Sequence, residues 1–246
     1  MKNLTGRVLR IERGSIHDGD GLRTVVFLKG CSLRCAWCAA PESQSFEFEF
    51  GYGSFMTVSD VVSEIAKDEI FFFHSGGGVT ISGGEPLEQA EFCASILKEC
   101  KEMGIHTAIE TSAFGEYRNI EIMMPYLDLI YADIKLMDDN EHIRWVGASN
   151  ETILSNIRRI SQDFAGKLRI RLPLIPTINI NDSFIQTAAE FCKSLEKLDS
   201  VEFLPYHRLG ADTYRKLGRE NPMGDVMPPD EATVENAKKL FDKYRS

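Results

Sequence analysis

Three cysteines within eight residues, Cys31-Ser-Leu-Arg-Cys35-Ala-Trp-Cys38, constrain this chain more than any other feature. They follow directly on the apolar stretch Thr24–Leu28 and Gly30, which places them on a loop at the end of a strand. Three thiolates at this spacing can wrap one face of a cubane [4Fe-4S] cluster, ligating three irons and leaving the fourth open. Four cysteines are the usual set, so an open iron is a place for another ligand. Zinc is the competing metal. It wants a closed tetrahedron, hence a fourth ligand such as His17 or His74, and neither stands in a zinc-finger spacing. Three core thiols grouped by chance is the remaining reading of the residues.

The other cysteines are dispersed. Cys93 and Cys100 share one face of a predicted helix and Cys192 adjoins Phe191, so all three read as small buried hydrophobes. A disulfide framework would need a secreted context, whereas a reducing compartment favours metal ligation by the tight group. The first thirteen residues are polar and mixed, without the apolar segment of a signal peptide. No apolar run approaches the roughly 20 residues of a membrane helix. The expectation is a cytoplasmic protein. Its formal charge of −9 argues against a general nucleic-acid binder. A local basic group (Arg158, Arg159, Lys167, Arg169 and Arg171) reads as a solvated helix face and strand end.

Short β-type runs alternate with helical patterns, the signature of βα units around a parallel sheet. The predicted strands are Arg7–Glu12 with Thr24–Leu28, Gly78–Ser82, His106–Thr111, Leu127–Lys135, Leu168–Ile175 and Val201–Tyr206. Helices are predicted over Val58–Lys67 (Thr57 as N-cap, Asp60 completing a capping box), Glu88–Met103, Ile120–Tyr126, Glu141–Val146, Glu151–Phe164, Asp182–Leu195 and Asp230–Tyr244. About six βα units result. A complete eight-unit barrel needs around 250 residues for its repeats alone. The expected fold is therefore α/β: a partial, open (β/α)6 TIM-like barrel in a single domain over residues 1–246. Ligands of such folds sit at the C-terminal ends of the strands. Gly83-Gly84-Glu85 stands there, as do Glu110 and Asp133, with Lys135 two residues further on. Taken alone, Gly-Gly-Glu is also a tight βα turn, and Asp133 could simply pair with Lys135.

With these motifs in view, the chain resembles the radical S-adenosylmethionine (SAM) superfamily, and within it the glycyl-radical-enzyme activating enzymes. The similarity runs from about Gly6 past His207. It is carried by the cysteine motif with Trp37, by His17-Asp18-Gly19-Asp20-Gly21-Leu22-Arg23, Ser75-Gly76-Gly77-Gly78-Val79-Thr80 and Ser82-Gly83-Gly84-Glu85-Pro86, and further on by Glu110-Thr111, Asp133-Ile134-Lys135, Arg171 and Leu204-Pro205-Tyr206-His207.

The resemblance implies a radical SAM core with two cofactors, a [4Fe-4S] cluster on Cys31, Cys35 and Cys38 and SAM chelating its open iron. It implies that Gly83, Gly84 and Glu85 meet the methionine amino group. Lys135 and Arg171 would contact SAM, His207 its adenosine part, and Trp37 would lie beside the cofactors. Glu110, Thr111 and Asp133 would hold a monovalent cation, Na+ or K+, with Glu110 standing where the pyruvate formate-lyase activating enzyme has Asp. Asp18 would bind the partner's glycine-bearing peptide; ordinary turn chemistry is the alternative for its Gly-Asp-Gly loop.

The implied reaction is reductive cleavage of SAM, followed by hydrogen abstraction from a glycine of a glycyl radical enzyme by the 5′-deoxyadenosyl radical. A flavodoxin or ferredoxin-type protein would donate the electron, and the enzyme would be a monomer. Many relatives carry a cysteine-rich, ferredoxin-like insertion after the cluster loop. Here Ala39 to Phe55 contains no cysteine. Pro41-Glu42-Ser43-Gln44 and Ile109-Glu110-Thr111-Ser112 nevertheless look more like the insertion-bearing members, which leaves the partner open. A radical SAM enzyme acting on a small molecule and a zinc-binding interaction module are the alternative readings.

Overall fold

The structure, a computed structural model, describes residues 4–245. Two compact units are present. One takes the chain up to Ser32 with Glu42–Thr111 and Gly115–Tyr131; the other takes Leu33–Pro41, Ser112–Phe114 and the chain from Ala132 onward.

In the first unit β1 (Thr5–Ser15) and β2 (Arg23–Leu28) form an antiparallel pair, and β3 (Ser54–Thr57) adds antiparallel to β1. On its other side β2 runs parallel to β4 (Gly78–Gly83), which runs parallel to β5 (His106–Thr111). β6 (Leu129–Asp133) starts in this unit, whose strand order is β3-β1-β2-β4-β5-β6. Its helices are α1 (Val58–Ala66), α2 (Glu69–Ser75), α3 (Ala90–Glu102) and α4 (Tyr117–Glu121).

The second unit continues from the end of β6 to β7 (Lys167–Leu174) and the parallel β8 (Ser200–Pro205). It carries α5 (Asp139–Val146), α6 (Glu151–Asp163), α7 (Asp182–Lys193), α8 (Ala211–Lys216) and α9 (Glu231–Arg245). Among the described residues β4 to β8 are each followed by helix, as the alternating pattern predicts, whereas β2 leads through the cysteine loop and β3 before α1.

The local causes are legible in the sequence. β2 and β4 are buried along almost their whole length, as strands covered on both faces must be. Thr57 and Asp60 close the predicted capping box: Asp60 N donates to Thr57 Oγ1 at 3.1 Å and Thr57 N to Asp60 Oδ2 at 3.0 Å. Phe92, Cys93, Ile96, Leu97 and Cys100 form the buried face of α3. Cys93, Cys100 and Cys192 are core thiols, as expected, and burial pushes the pKa of Cys100 and of Cys192 up to about 12.

Several elements differ from expectation. The predicted helix Ile120–Tyr126 is α4 followed by a separate 3₁₀ turn at Met124–Tyr126, because Pro125 lacks the N–H that would continue the helix. The predicted helix Glu88–Met103 opens as a 3₁₀ turn, Pro86–Gln89, capped by the Glu85 side chain. β6 is shorter at both ends than Leu127–Lys135. β3, α2 and α8 are additional. In the basic group Arg158 lies 4.8 Å over the Phe191 ring, while Arg169 pairs with Asp199 at 2.7 Å and Arg171 with Glu202 at 3.1 Å. Arg169 also lies 3.9 Å from Glu202, so the two strand arginines share that carboxylate.

One buried carboxylate ties β1, β2 and the start of α2 together. Asp68 accepts from Thr24 Oγ1 at 2.6 Å and from Arg13 Nε at 2.8 Å, and the Arg13 bond holds its pKa below the usual carboxylate range. A depressed folded pKa gives stability that is full above the unfolded pKa of about 3.9 and is lost as pH falls through the folded value. Asp68→Asn is therefore expected to cost about 2 kcal/mol at pH 7. Urea denaturation should show that difference shrinking as the pH is lowered below about 4.

Candidate active site

The loop that carries the cysteines starts in the first unit. Gly30 N donates to Ser43 O at 2.7 Å and Cys31 N to Gln44 O at 3.2 Å, so Glu42–Gln44 forms the back of the loop. The turn after β4 lies against the same stretch: Gly84 N donates to Leu28 O and Glu85 N to Gly30 O, both at 2.9 Å. This approach needs glycine. A Cβ on Gly83, which has φ +101°, would lie 2.4 Å from Leu28 N, and one on Gly84 would lie 2.2 Å from Gly30 O. Both glycines remain half-buried, so their backbone faces a ligand without an intervening side chain.

Glu85 beside them is buried. It accepts from Thr111 Oγ1 at 2.5 Å and from Leu87 N at 3.2 Å, so this carboxylate and Thr111 form one hydrogen-bonded unit under the turn. Glu110, at the end of β5, accepts from Ser82 Oγ at 2.7 Å. The ends of β4 and β5 thus bring Gly83, Gly84, Glu85, Glu110 and Thr111 together.

The Gly-Asp-Gly loop occupies the other end of these strands. Asp18 O accepts from Thr80 Oγ1 at 2.6 Å and the Asp18 carboxylate takes the Ser15 hydroxyl, the turn chemistry the sequence allowed. Behind it the fully buried Arg23 donates to Thr80 Oγ1 and contacts His106 Nδ1, each at 3.0 Å. Burial lowers the Arg23 pKa to about 10, leaving it cationic at neutral pH, and burial followed by this cation holds His106 below its usual value. His17 and His74 are both exposed. Among the described residues no three His, Cys, Asp or Glu side chains are gathered to hold a single metal ion.

The rest of the cysteine loop belongs to the second unit, where it is fastened to the C-terminal end of α5. Arg34 N donates to Val146 O at 2.8 Å and Ala36 N to Trp145 O at 2.9 Å, while Cys38 N closes a turn onto Cys35 O at 3.2 Å. Ala36 packs in one cluster with Ile175, Tyr206 and Met223, against which Trp37 and Trp145 lie. Desolvation raises the Cys35 thiol pKa, with Lys135 opposing and Asp133 reinforcing the shift. Asp133 accepts from Lys135 Nζ at 2.8 Å. Arg171, almost fully buried, donates to Glu202 at 3.1 Å, and the exposed His207 contacts Leu209 N through Nδ1 at 3.4 Å.

Two buried asparagines that the sequence reading missed set this arrangement. Asn179 donates to Lys135 O at 3.2 Å and Pro173 O at 2.6 Å and accepts from Ile175 N at 2.7 Å. Asn150 donates to Leu136 O at 3.1 Å and Met137 O at 2.9 Å. Nothing local marks either one, because their partners are backbone groups of distant segments.

The residues present fit an iron–sulfur cluster and SAM. Of the six cysteines, the three of the loop are half-buried and the other three are buried. The three cysteines outside the packed core are thus the set with cluster spacing, and the turn of Gly83 and Gly84 packs without side chains against the backbone that leads into the first of them.

Comparison with known proteins agrees with this chemistry. A family described as "4Fe-4S single cluster domain" matches residues 17–154. The pyruvate formate-lyase-activating enzyme of Clostridium pasteurianum is 36% identical, over 97% of this chain and 96% of its own. The isethionate sulfite-lyase activating enzyme of Oleidesulfovibrio alaskensis is 34% identical over 284 residues, covering 92% of this chain and 91% of its own. That span exceeds the 246 residues here, so this relative carries residues the present chain lacks. Among solved structures, a domain of the pyruvate-formate lyase-activating enzyme from Bacteroides vulgatus superposes with TM-score 0.57 at 33% identity, covering 68% of this chain and 94% of its own. A radical SAM methyltransferase from Sphaerobacter thermophilus, 14% identical, shares the fold with TM-score 0.66 over 96% of this chain and 74% of its own. With its βα architecture, its three-cysteine loop and these relatives, the chain belongs to the radical SAM family of glycyl-radical-enzyme activating enzymes, which use a [4Fe-4S] cluster and SAM.

Proposed function

We propose that this chain installs the radical in a glycyl radical enzyme by removing a hydrogen atom from one of its glycines, with both compact units working as one radical SAM domain. Alignment with the Clostridium relative over 97% of the chain supports the single domain. Cys31, Cys35 and Cys38 hold the cluster. When bound, cluster and SAM supply the one-electron chemistry, and the protein orients the groups and excludes side reactions.

The observation that carries the reading is the packing of the Gly83-Gly84 turn against Leu28–Gly30, the backbone that leads into Cys31 and the cysteine motif. In that turn the bare backbone of Gly83 and Gly84 receives the amino group of SAM, over a floor made rigid by the Glu85–Thr111 bond. Lys135 and Arg171 are held in place by Asp133 and Glu202, poised to meet the SAM carboxylate; His207 and Trp37 flank the adenosine and the cluster. A monovalent cation at Glu110, Thr111 and Asp133 would have to compete with Lys135 for Asp133 and with Ser82 for Glu110. Asp18 orders the loop that receives the partner's glycine peptide. A flavodoxin or ferredoxin-type protein provides the electron, and the enzyme works as a cytoplasmic monomer. No helix among the described residues is long and apolar enough to cross a membrane.

The names of the relatives supply the partners to test. Anaerobically reconstituted protein, reduced with dithionite and given SAM, is mixed in turn with pyruvate formate-lyase, isethionate sulfite-lyase and trans-4-hydroxy-L-proline dehydratase. A SAM-dependent glycine-centred radical signal in one of them is expected by electron paramagnetic resonance. SAM consumption driven only by a small molecule, with no protein radical in any partner, would overturn the proposal.

A further inference from the structure

Gly210 immediately precedes α8 and is buried. Its backbone, φ −74° and ψ −17°, is one that any residue adopts, so conformation does not require glycine there. Space does. A Cβ at this position would lie 2.5 Å from the carbonyl oxygen of Cys38 and 3.2 Å from that of Ala39. The obstruction is backbone on one side and a helix start on the other, so neither end can swing aside as a flexible side chain would.

The same segment holds the loop at neighbouring points. Arg219 Nη1 donates to Pro41 O at 3.3 Å, and Tyr206 and Met223 pack in the cluster that contains Ala36. Nearer its start the loop is fixed by the α5 carbonyls of Trp145 and Val146, which accept from Ala36 N and Arg34 N. The stretch Leu33–Pro41 is therefore held by two segments, α5 and the chain from Tyr206 to Met223, and Gly210 is where the second meets a cysteine backbone directly. Because Cys38 N is bonded to Cys35 O, a displaced Cys38 carbonyl tilts the turn that carries both thiols.

We infer that Gly210 is a positioning residue for the iron–sulfur cluster: its missing side chain lets the start of α8 press on the Cys38 carbonyl and fix the spacing of Cys35 and Cys38. This rests on the reading of Cys38 as a cluster ligand. Supporting groups behind metal ligands typically change metal retention by about 10–100-fold when altered, and a loss in that range is expected for Gly210→Ala.

The test compares wild type, Gly210→Ala and Gly218→Ala. Gly218 lies in the same segment at φ +64° with open space around its Cβ direction, so its substitution strains the segment without touching Cys38. Each cluster-free protein is first checked by thermal melting and by the alkylation rate of Cys38, read by mass spectrometry. Each is then reconstituted and measured for iron kept through a chelator challenge and for the shape of its reduced cluster signal. The inference predicts that Gly210→Ala alone alters the Cys38 alkylation rate, keeps about 10–100-fold less iron and shifts the signal. Equal iron retention and an unchanged signal in Gly210→Ala would overturn it, as would equal losses in both variants. If Gly210→Ala does not fold, Cys38 alkylation and iron retention in an Arg219→Ala variant, which releases the same grip at Pro41, decide in its place. Failure of wild type itself to assemble a cluster would instead remove the assignment of the loop.

Discussion

Cys35→Ser is expected to leave a folded protein that assembles no redox-active cluster and has no activating function. Cys35 stands on a loop and serine nearly matches its size, so the substitution opens no core cavity and the melting temperature should change little. The chemistry responds differently. A hydroxyl is a hard, weakly acidic donor, whereas iron–sulfur clusters are held by thiolates. With one of three ligands gone, activation falls to background, a loss of at least about 10⁶-fold at the low end of enzymatic rate enhancements. Iron content, the visible absorption of the reconstituted protein and partner activation together check the outcome. Cys100→Ser should do the reverse. It places a hydroxyl in a fully buried core position, costing about 1–3 kcal/mol of stability while leaving the cluster intact.

The second large effect is expected at the glycine cradle. Gly84→Ala puts a Cβ within 2.2 Å of Gly30 O, a backbone atom that cannot yield without moving the residue before Cys31. Relieving that clash displaces the half-buried turn whose bare backbone is assigned to SAM. The displacement weakens SAM binding by about 10–100-fold, or roughly 1.4–2.8 kcal/mol. Titration of SAM against the reduced cluster signal measures it directly. A mere change in global stability with unaltered SAM affinity would show that the close packing serves the fold alone.

How much of this could be read in the sequence follows from the range of each interaction. The cysteine spacing is local, and a loop of thiols declares its chemistry whatever surrounds it. β2 was legible because a strand buried on both faces carries a continuous apolar run, here Val25–Leu28, and β4 and β5 through their β-branched residues, Val79, Thr80 and Ile81 in one and Thr107, Ile109 and Thr111 in the other. The helix α2 was not, because Glu-Ile-Phe-Phe-Phe-His-Ser has no helical period and leaves Ile70, Phe71 and Phe73 exposed. β3 is a four-residue edge strand and α8 a six-residue helix in a polar stretch, both too short for periodicity to register.

At the site the same division holds. The Asp133–Lys135 pair is the alternative that the sequence leaves open beside a cation site at Asp133, since the two stand two residues apart. Sequence alone gave no hint that Thr111 would bond Glu85, that Ser82 would bond Glu110, or that Asn179 would organise the backbone of Lys135. Gly210 is the clearest case. Its sequence context is an ordinary helix start, and only the approach of Cys38 O explains the glycine.

The measurement that bears most directly on the central claim is electron paramagnetic resonance on the anaerobically reconstituted, dithionite-reduced chain, with and without SAM. A reduced [4Fe-4S] signal that changes shape when SAM is added is predicted, since an iron without a cysteine ligand is where SAM binds. A reduced cluster indifferent to SAM, or protein that takes up zinc and assembles no cluster, would contradict the account.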